Sequence, residues 1–198
     1  MEKTPVVAFI GGGNMASAIV GGLRRAGHPA ERIRVVEPSA EQRERLAQQH
    51  GVQVLPHADA TLSGAEMVVW AVKPQSFDSA SRACAGLLAG ALHLSVMAGI
   101  RSDTIAAAAG TERVVRAMPN TPALIGRGIA GLFARAAVGA AERTLVETVL
   151  APTGEVLWVG SEEDLDAVTA ISGSGPAYVF YVVEAMTCLL YTSPSPRD

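Results

Sequence analysis

Gly11, Gly13 and Ala16 form a G-x-G-x-x-A pattern directly after a short apolar run and at the start of a helix-like segment. The first glycine would permit a tight turn, the second would let the backbone approach a pyrophosphate, and the alanine would allow close helix–strand packing. The helix N-terminus would add unpaired N–H groups and a positive dipole for the phosphates. The pattern predicts a dinucleotide site, and a glycine-rich turn that serves packing alone is the alternative.

A second chemical feature follows the next predicted strand, where Glu37 precedes Pro38 and Ser39. An acidic side chain at this place accepts a hydrogen bond from an adenine-ribose 2′-hydroxyl, which favours NADH. Ser39 and Arg43 would instead attract a 2′-phosphate, which favours NADPH. The sequence therefore predicts NADPH or NADH as cofactor, with both able to bind, and a solvated charge at a helix start is the alternative for Glu37.

The loops after three later strands carry small or polar residues, in the segments Lys73-Pro74, Ala98-Gly99 and Asn120-Thr121. A lysine at the carboxyl end of a strand would hold cofactor phosphate or ribose, and small residues would let a flat ring pass near the backbone. The asparagine and threonine would present hydrogen-bonding groups to the same crevice. Each loop alone is compatible with an ordinary turn, but the series predicts a lined cleft.

The segment Ser172-Gly173-Ser174-Gly175-Pro176 separates two helical stretches. Gly175 would end one helix, Ser174 would cap the next, and Pro176 suits its first turn. Hydroxyl and N–H groups at this break would receive a small carboxylate, whereas a helix kink is the alternative.

The sequence shows no nucleophile–base pair, no paired carboxylates and no cluster with metal-ligand spacing. Its histidines are scattered, at positions His28, His50, His57 and His93. This pattern favours hydride transfer, in which a cofactor carries the chemistry and the protein orients it. We therefore identify no ionisable catalytic acid and expect no metal.

The elements that would position these groups alternate along the chain. Apolar strands separated by helices indicate an α/β fold with a doubly wound, mostly parallel Rossmann-type sheet, whose ligands lie at the carboxyl ends of the strands. Strands are predicted at Val6–Ile10, Ile33–Glu37, Val52–Leu55, Met67–Val72, Ala91–Met97, Val114–Met118, Gly126–Ala134 and Glu155–Val159. Helices are predicted at Asn14–Ala26, Ala40–Gln49, after Gln75, at Ala140–Leu150 and from Glu162 onward.

Composition narrows the class of protein. The 198 residues carry 16 Lys+Arg and 19 Asp+Glu, and 49% of them are hydrophobic. A disordered chain is excluded, and a nucleic-acid partner is not expected, because there is no dense basic face. Two cysteines make no disulfide framework, and no targeting or membrane-spanning segment is evident. These features predict a cytoplasmic protein with a small-molecule substrate.

Together, the motifs resemble those of the delta-1-pyrroline-5-carboxylate reductases, which complete proline synthesis. The resemblance runs from Val6 to about Met186 and rests on FIGGGNMASAIVGGL, AVKPQ, RAMPNTPALIGRGIAGL and DAVTAISGSGPAYVFYVVEAM. It implies NAD(P)H-dependent reduction of 1-pyrroline-5-carboxylate to L-proline, by hydride transfer to the imine carbon. It also implies a homodimer or a higher homo-oligomer.

The resemblance assigns roles to single positions. It implies cofactor contacts for Gly11, Gly13, Asn14, Met15, Ala16, Ala71, Val72, Lys73, Pro74, Ala98 and Gly99. It implies that Glu162, Ser172, Gly173, Ser174, Gly175 and Pro176 lie near the substrate. One departure is Ala58, where the family often has an asparagine that contacts the adenosine ribose.

We expect a Rossmann domain at residues 1–160 and the beginning of a helical substrate and dimerisation domain at 161–188. Residues 189–198, LLYTSPSPRD, contain prolines that cannot remain helical, and we expect a nonnative tail there on a truncated chain. Such a chain would bind cofactor but reduce the imine poorly.

Two other functions fit the glycine pattern. One is an NAD(P)-binding module without turnover. The other is a reductase of the beta-hydroxyacid dehydrogenase type, which would need a lysine on the helix of the second domain. The sequence from Glu162 to Asp198 contains no lysine, which disfavours this second alternative.

Overall fold

The computed structural model describes residues 4–192, which form one eight-stranded sheet with helices on its faces. The strands are β1 Val7–Ile10, β2 Ile33–Val36, β3 Gln53–Leu55, β4 Met67–Trp70, β5 Leu92–Ser95, β6 Val114–Met118, β7 Gly128–Ala134 and β8 Gly154–Trp158. The helices are α1 Asn14–Arg25, α2 Ala40–His50, α3 Phe77–Ala83, α4 Ser102–Ala109, α5 Ala140–Leu150, α6 Asp164–Val168 and α7 Gly175–Thr192. Short 3-10 turns occupy Ala30–Arg32, Ala60–Leu62, Pro74–Ser76, Thr121–Ile125 and Ala151–Thr153.

The strand order is β3-β2-β1-β4-β5-β6-β7-β8, and only the β6–β7 pairing among these strands is antiparallel. Helical crossovers on both faces explain why β1 and β4 are buried along their whole length. The predicted doubly wound, mostly parallel α/β sheet is confirmed.

Alternate residues of each central strand build the two halves of the core. Val7 and Phe9 of β1 join a cluster with residues of α1, α2 and α5, whereas Ala8 and Ile10 join residues around α3 and α4 on the other face. This alternation follows from the period of two in a strand. The rigid sheet therefore fixes the positions of the loops at its edges.

The C-terminal helices differ from the prediction. A helix break was expected at Ser172–Pro176, but α6 continues through a π-helical turn at Thr169–Gly173 into α7. The Ser174 N–H donates to the carbonyl of Thr169, five residues earlier, so one wide turn replaces the break. Ser174 directly precedes α7 and its carbonyl accepts from the Ala177 N–H at 3.0 Å, while a cap by its side chain stays a prediction.

Other boundaries also differ. Helix α4 was not predicted, and β4 ends at Trp70 rather than at Val72. Helix α7 continues to Thr192, past the expected domain end at residue 188, and the rest of the predicted tail, 193–198, lies outside the described residues. The sheet ends at Trp158, and the division into domains at residue 160 stays a prediction.

The large apolar side chains of α7 are exposed, for example Tyr178 at 61% and Tyr191 at 88%. Within residues 4–192, no helix is both long and apolar enough to cross a membrane.

Candidate functional site

Five loops lie in a row at one edge of the sheet, because β2, β1, β4, β5 and β6 are parallel neighbours in that order. The loops are residues 37–39, 11–13, 71–74, 96–101 and 119–121. Backbone bonds tie two of these loops to the end of the neighbouring strand: the Gly11 N–H donates to the Val36 carbonyl of β2, and the Ala71 N–H donates to the Ile10 carbonyl of β1. The fold therefore brings together the strand-end segments that the sequence predicted separately.

The glycine loop has two glycines with different physical roles. Gly11 has φ +99°, and a Cβ there would lie 2.6 Å from the Ala71 carbonyl oxygen, so backbone strain and a clash both require glycine. At Gly13 a Cβ would meet nothing within 4 Å, and this residue is the N-cap of α1. Helix α1 has no acidic residue in its first turn and no side-chain cap on its N-terminus. Open space and N–H groups of this kind fit a pyrophosphate.

The middle glycine was not singled out from the sequence. A Cβ at Gly12 would lie 2.6 Å from Cδ1 of Leu46 on α2, and the Gly12 N–H donates to Glu37 Oε2 at 2.9 Å. The Gly12 carbonyl accepts from the Gln42 side chain. The requirement for glycine here comes from α2, which is distant in sequence, so the local pattern gave no signal for it.

Glu37 lies beside the glycine loop, as the sequence predicted for a ribose contact. Its second carboxylate oxygen accepts from the Ser39 N–H at 2.8 Å, so the carboxylate bridges two loops. The Arg43 guanidinium donates to the carbonyls of Glu37 and Pro38, at 3.1 and 2.6 Å. Nη1 of Arg43 is therefore used by the backbone, and Ser39 accepts from Gln42 N–H as the cap of α2.

A cleft of about 340 Å³ opens beside these residues, at the carboxyl ends of β1 and β2. Pro38, Pro56, Ala58 and Val72 line it with Gly11, and its wall is mainly apolar. A flat, largely apolar ring system such as adenine fits such a wall. The side chain of Ala58, where the resemblance implies an asparagine, cannot form a hydrogen bond to a ribose.

The loops toward the middle of the row are open to solvent. Lys73 and Pro74 are exposed and begin the 3-10 turn before α3, while Ala71 and Val72 are half-buried. Ala98 and Gly99 are exposed, and Gly99 has φ +77° with open space around a Cβ. These positions are available to a ligand at the edge, and their cofactor contacts stay predictions.

Asn120 has a structural partner. Its Oδ1 accepts from the Ile129 N–H at 3.0 Å and so ties the loop after β6 to the start of β7. Thr121 is exposed at the start of the next 3-10 turn. The Asn120 side-chain carbonyl is thus used by the fold, whereas Thr121 remains open to the crevice.

The Ser172–Pro176 segment lies against the end of β6. A Cβ at Gly173 would lie 2.9 Å from Cε of Met118, so the π turn packs closely on this strand end. The Ser172 hydroxyl donates to the Val168 carbonyl at 3.1 Å, and Gly175 has open space around it. An apolar cleft of about 250 Å³ lies beside Ser172, between Ile129, Leu157 and Ile171.

Glu162 is buried and fully bonded to protein groups. Its Oε1 accepts from the Ser102 N–H at 2.6 Å and from Arg116 Nη1 at 2.7 Å, and its Oε2 accepts from the Ser102 hydroxyl at 2.7 Å. Burial raises the pKa of Glu162, but the bonds from Arg116 and Ser102 outweigh burial and the net shift is downward. Glu162 lies before α6 and the other predicted substrate residues, which begin at Ser172, lie after it. The predicted substrate residues are therefore found at opposite ends of that helix.

Among residues 4–192, no group of three or more His, Cys, Asp or Glu side chains could hold a metal ion. The glycine loop, the uncapped N-terminus of α1 and the apolar cleft beside them are features of a dinucleotide site at this edge of the sheet.

Two family models match the chain. The model described as NADP oxidoreductase, coenzyme F420-dependent, matches residues 6–99. The model described as pyrroline-5-carboxylate reductase dimerisation matches residues 162–191. The first match contains the glycine loop, and the second contains Glu162 and the π turn.

Curated relatives extend over most of the chain. A pyrroline-5-carboxylate reductase of Pseudomonas aeruginosa is 45% identical over 187 residues, which cover 93% of this chain and 68% of that protein. The Haemophilus influenzae enzyme of the same name is 41% identical over 186 residues, which cover 91% of this chain and 67% of that protein.

Solved structures agree with the sequence relatives. A pyrroline-5-carboxylate reductase from Coxiella burnetii superposes with a TM-score of 0.86 and 34% identity, covering 98% of this chain and 73% of that one. A Plasmodium falciparum pyrroline carboxylate reductase with NADP bound superposes with a TM-score of 0.81 and 26% identity, covering 96% of this chain and 71% of that one.

Proposed function

Because the chain belongs to the pyrroline-5-carboxylate reductase family, we propose that it reduces 1-pyrroline-5-carboxylate to L-proline with NAD(P)H, the last step of proline biosynthesis. The row of five loops at the carboxyl edge of the parallel sheet carries this proposal. Ligands of doubly wound sheets bind at that edge.

The cofactor would be held along this row. Gly13, Asn14 and Met15 at the start of α1 would receive the pyrophosphate, and Glu37 would face the adenine ribose. When bound, NAD(P)H supplies the hydride that reduces the imine carbon. NADP is bound in the Plasmodium relative, which supports NADPH, while use of NADH stays a prediction.

The substrate would lie where the π turn meets the end of β6. The half-buried backbone at Gly175, which has open space beside it, and the Ser174 hydroxyl would bind its carboxylate. A carboxylate held beside the imine places the ring in one orientation, so that one face of the carbon meets the cofactor loops at residues 96–101. The imine nitrogen takes up a proton and becomes the amine, and we assign no side chain as its donor.

A second copy of the chain would cover α7. The dimerisation model matches residues 162–191, and α7 exposes its large apolar residues within that range. Exposed apolar surface of this kind marks an association site. The homo-oligomer follows from the match, the homodimer is our proposal, and the cytoplasmic location stays a prediction.

The test is a turnover assay of the purified chain with NADPH and 1-pyrroline-5-carboxylate. We expect slow loss of NADPH absorbance with formation of equimolar L-proline, and no loss without the imine. NADPH binding without any turnover, at protein concentrations where the chain is associated, would support the binding-module alternative and contradict the reductase proposal.

A further inference from the structure

Glu162, Ser102 and Arg116 form a buried cluster that joins three separate elements. Ser102 begins α4, Arg116 lies in β6, and Glu162 precedes α6. Their relative exposures are 2%, 5% and 8%, so each of the three bonds to Glu162 is screened from water. Such bonds hold their elements more firmly than exposed ion pairs do.

The cluster leaves Glu162 little capacity for a ligand. Its carboxylate receives three short bonds, and Arg101 Nε adds a cation at 3.8 Å from Oε2. Within the described residues, the Nε atom of Arg116 has no hydrogen-bond partner, so Glu162 is the acceptor that compensates this buried guanidinium. A carboxylate needed to neutralise a buried cation is costly to divert to a substrate.

Each element of the cluster leads directly into a segment of the site. Ser102 follows the cofactor loop at residues 96–101. Arg116 and Met118 project from the same face of β6, since they are two residues apart in a strand. Arg116 bonds Glu162 at the start of the α6 region, and Met118 packs against Gly173 in the π turn at its end. Helix α6 and the π turn that follows it are therefore fixed along β6 at both ends, by Glu162 and by Gly173.

We propose that Glu162 is a positioning residue, which through Ser102 and Arg116 holds the 96–101 loop and the Ser172–Pro176 segment in register. It acts on substrate binding through these elements and not by contact. This inference rests on the proposed function for its substrate, but its effect on cofactor binding is independent of turnover.

The experiment compares Glu162→Gln and Ser102→Ala with the control Glu163→Gln. Glu163 is the adjacent acidic residue, and its carboxylate bonds the exposed side chain of Arg101. Measured quantities are the Kd of NADPH and of L-proline by fluorescence, and kcat and KM for the imine. Circular dichroism first checks that each variant is folded.

Glu162→Gln is expected to raise the Kd of NADPH and the KM of the imine together, each about 5- to 30-fold. Ser102→Ala keeps all charges and the backbone N–H, and should raise both constants about 3-fold, in line with loss of one hydrogen bond. The double variant should lose less than the product of the single effects, because both act on one unit. Glu163→Gln should leave both constants within 2-fold of the wild type.

One result would show direct substrate contact and overturn the inference. In it, Glu162→Gln raises the KM of the imine but leaves the Kd of NADPH unchanged, and Ser102→Ala changes neither constant. Equal effects of Glu163→Gln would overturn it too, since the exposed Glu163–Arg101 pair would then hold the 96–101 loop as firmly as the buried cluster does. If Glu162→Gln does not fold, Ser102→Ala decides. If the wild type shows no turnover, the proposed function fails, while the paired Kd values of NADPH and L-proline still test the coupling.

Discussion

The central strands and helix α7 are equally apolar but lie in opposite environments. The four residues of β1 are at most 2% exposed, whereas the large apolar residues of α7 are at least 53% exposed. In β1 each side chain enters one of two core clusters, so its burial follows from the sheet itself. In α7 the sequence from Tyr178 to Val183 is apolar on every side of the helix.

This difference in exposure indicates that the sheet and α7 are stabilised by different contacts. A helix that is apolar all round is typical of a segment buried between other elements, because no single face selects a partner. The sheet half can therefore be stable through its own contacts, and α7 contributes to stability mainly through association. Substitutions in the two regions should have different effects, and the following experiments measure that difference.

The largest expected effect compares two identical substitutions, Leu94→Ala in β5 and Leu189→Ala in α7. Leu94 is fully buried, so its truncation should lower the free energy of unfolding by about 2–5 kcal/mol. Leu189 is 63% exposed, and its truncation should change that free energy by less than about 0.5 kcal/mol. Urea unfolding at low protein concentration measures both, and similar losses for the two variants would contradict the separation.

The second prediction concerns the pH dependence of the stability of the sheet, which the buried residue His93 should cause. His93 is 2% exposed, and its Nδ1 accepts from Trp70 Nε1 at 3.0 Å, which requires a neutral ring. Burial and the positive charge of Arg113 lower the pKa of His93 to about 4 from 6.5. Between these two values the unfolded chain binds the proton and the folded chain does not. Stability should therefore fall by about 3 kcal/mol as the pH decreases through this range, and be independent of His93 above it.

The matched variants for this prediction are His93→Asn and His57→Asn. Asparagine at position 93 keeps an acceptor for Trp70 without the titration, so its stability should depend less on pH between 6.5 and 4. His57 is exposed, and His57→Asn should retain the wild-type slope. Burial also lowers the pKa of His28 and His50, so some slope should remain in both variants. An unchanged slope in His93→Asn would contradict the prediction.

Local sequence was sufficient for the sheet and for the glycine loop. Continuous apolar runs predicted the strands, and a local turn with positive φ accounts for part of the need for Gly11. The clash with the Ala71 carbonyl, which also requires glycine there, could not be read locally. Where the apolar run continued past the hydrogen-bonded ladder, as after Trp70, the predicted strand was too long. Composition alone does not show where pairing with a neighbouring strand stops.

Contacts between distant segments could not be read from the sequence. The partners of Glu162 lie on α4 and β6, and the acceptor role of Asn120 depends on Ile129 in the next strand. The π turn also escaped prediction, because Gly and Pro favour a break locally while packing of Gly173 on Met118 favours a continuous helix. These bonding partners could thus not be predicted from local patterns, and the assignment of the site residues stays a prediction.

The third prediction separates the two glycines of the loop. Gly11→Ala introduces strain of about 1–3 kcal/mol at positive φ and a clash with the Ala71 carbonyl, so stability and NADPH binding should both fall. Gly13→Ala meets open space at φ −69°, so stability should fall by no more than about 1 kcal/mol, the cost of alanine at an N-cap. Its NADPH affinity should still fall, because the methyl group would occupy the approach to α1. Thermal unfolding and NADPH titration measure both effects, and unchanged affinity in Gly13→Ala would place the pyrophosphate elsewhere.

The smallest expected effect concerns Glu37 and the choice of cofactor. Its carboxylate bonds the N–H groups of Gly12 and Ser39, at the place where an adenine-ribose 2′ substituent would lie. A negative charge there repels a 2′-phosphate and accepts from a 2′-hydroxyl, so Glu37→Ala should shift preference toward NADPH by about 1 kcal/mol. Glu41→Ala, in the exposed first turn of α2, removes the same charge without a bond to the glycine loop and should leave the preference unchanged. The Kd values of NADPH and NADH are measured for each variant. Loss of the Gly12 acceptor weakens both cofactors alike and cancels in their ratio, so an unchanged ratio in Glu37→Ala would mean that the carboxylate supports the loop and does not select the cofactor.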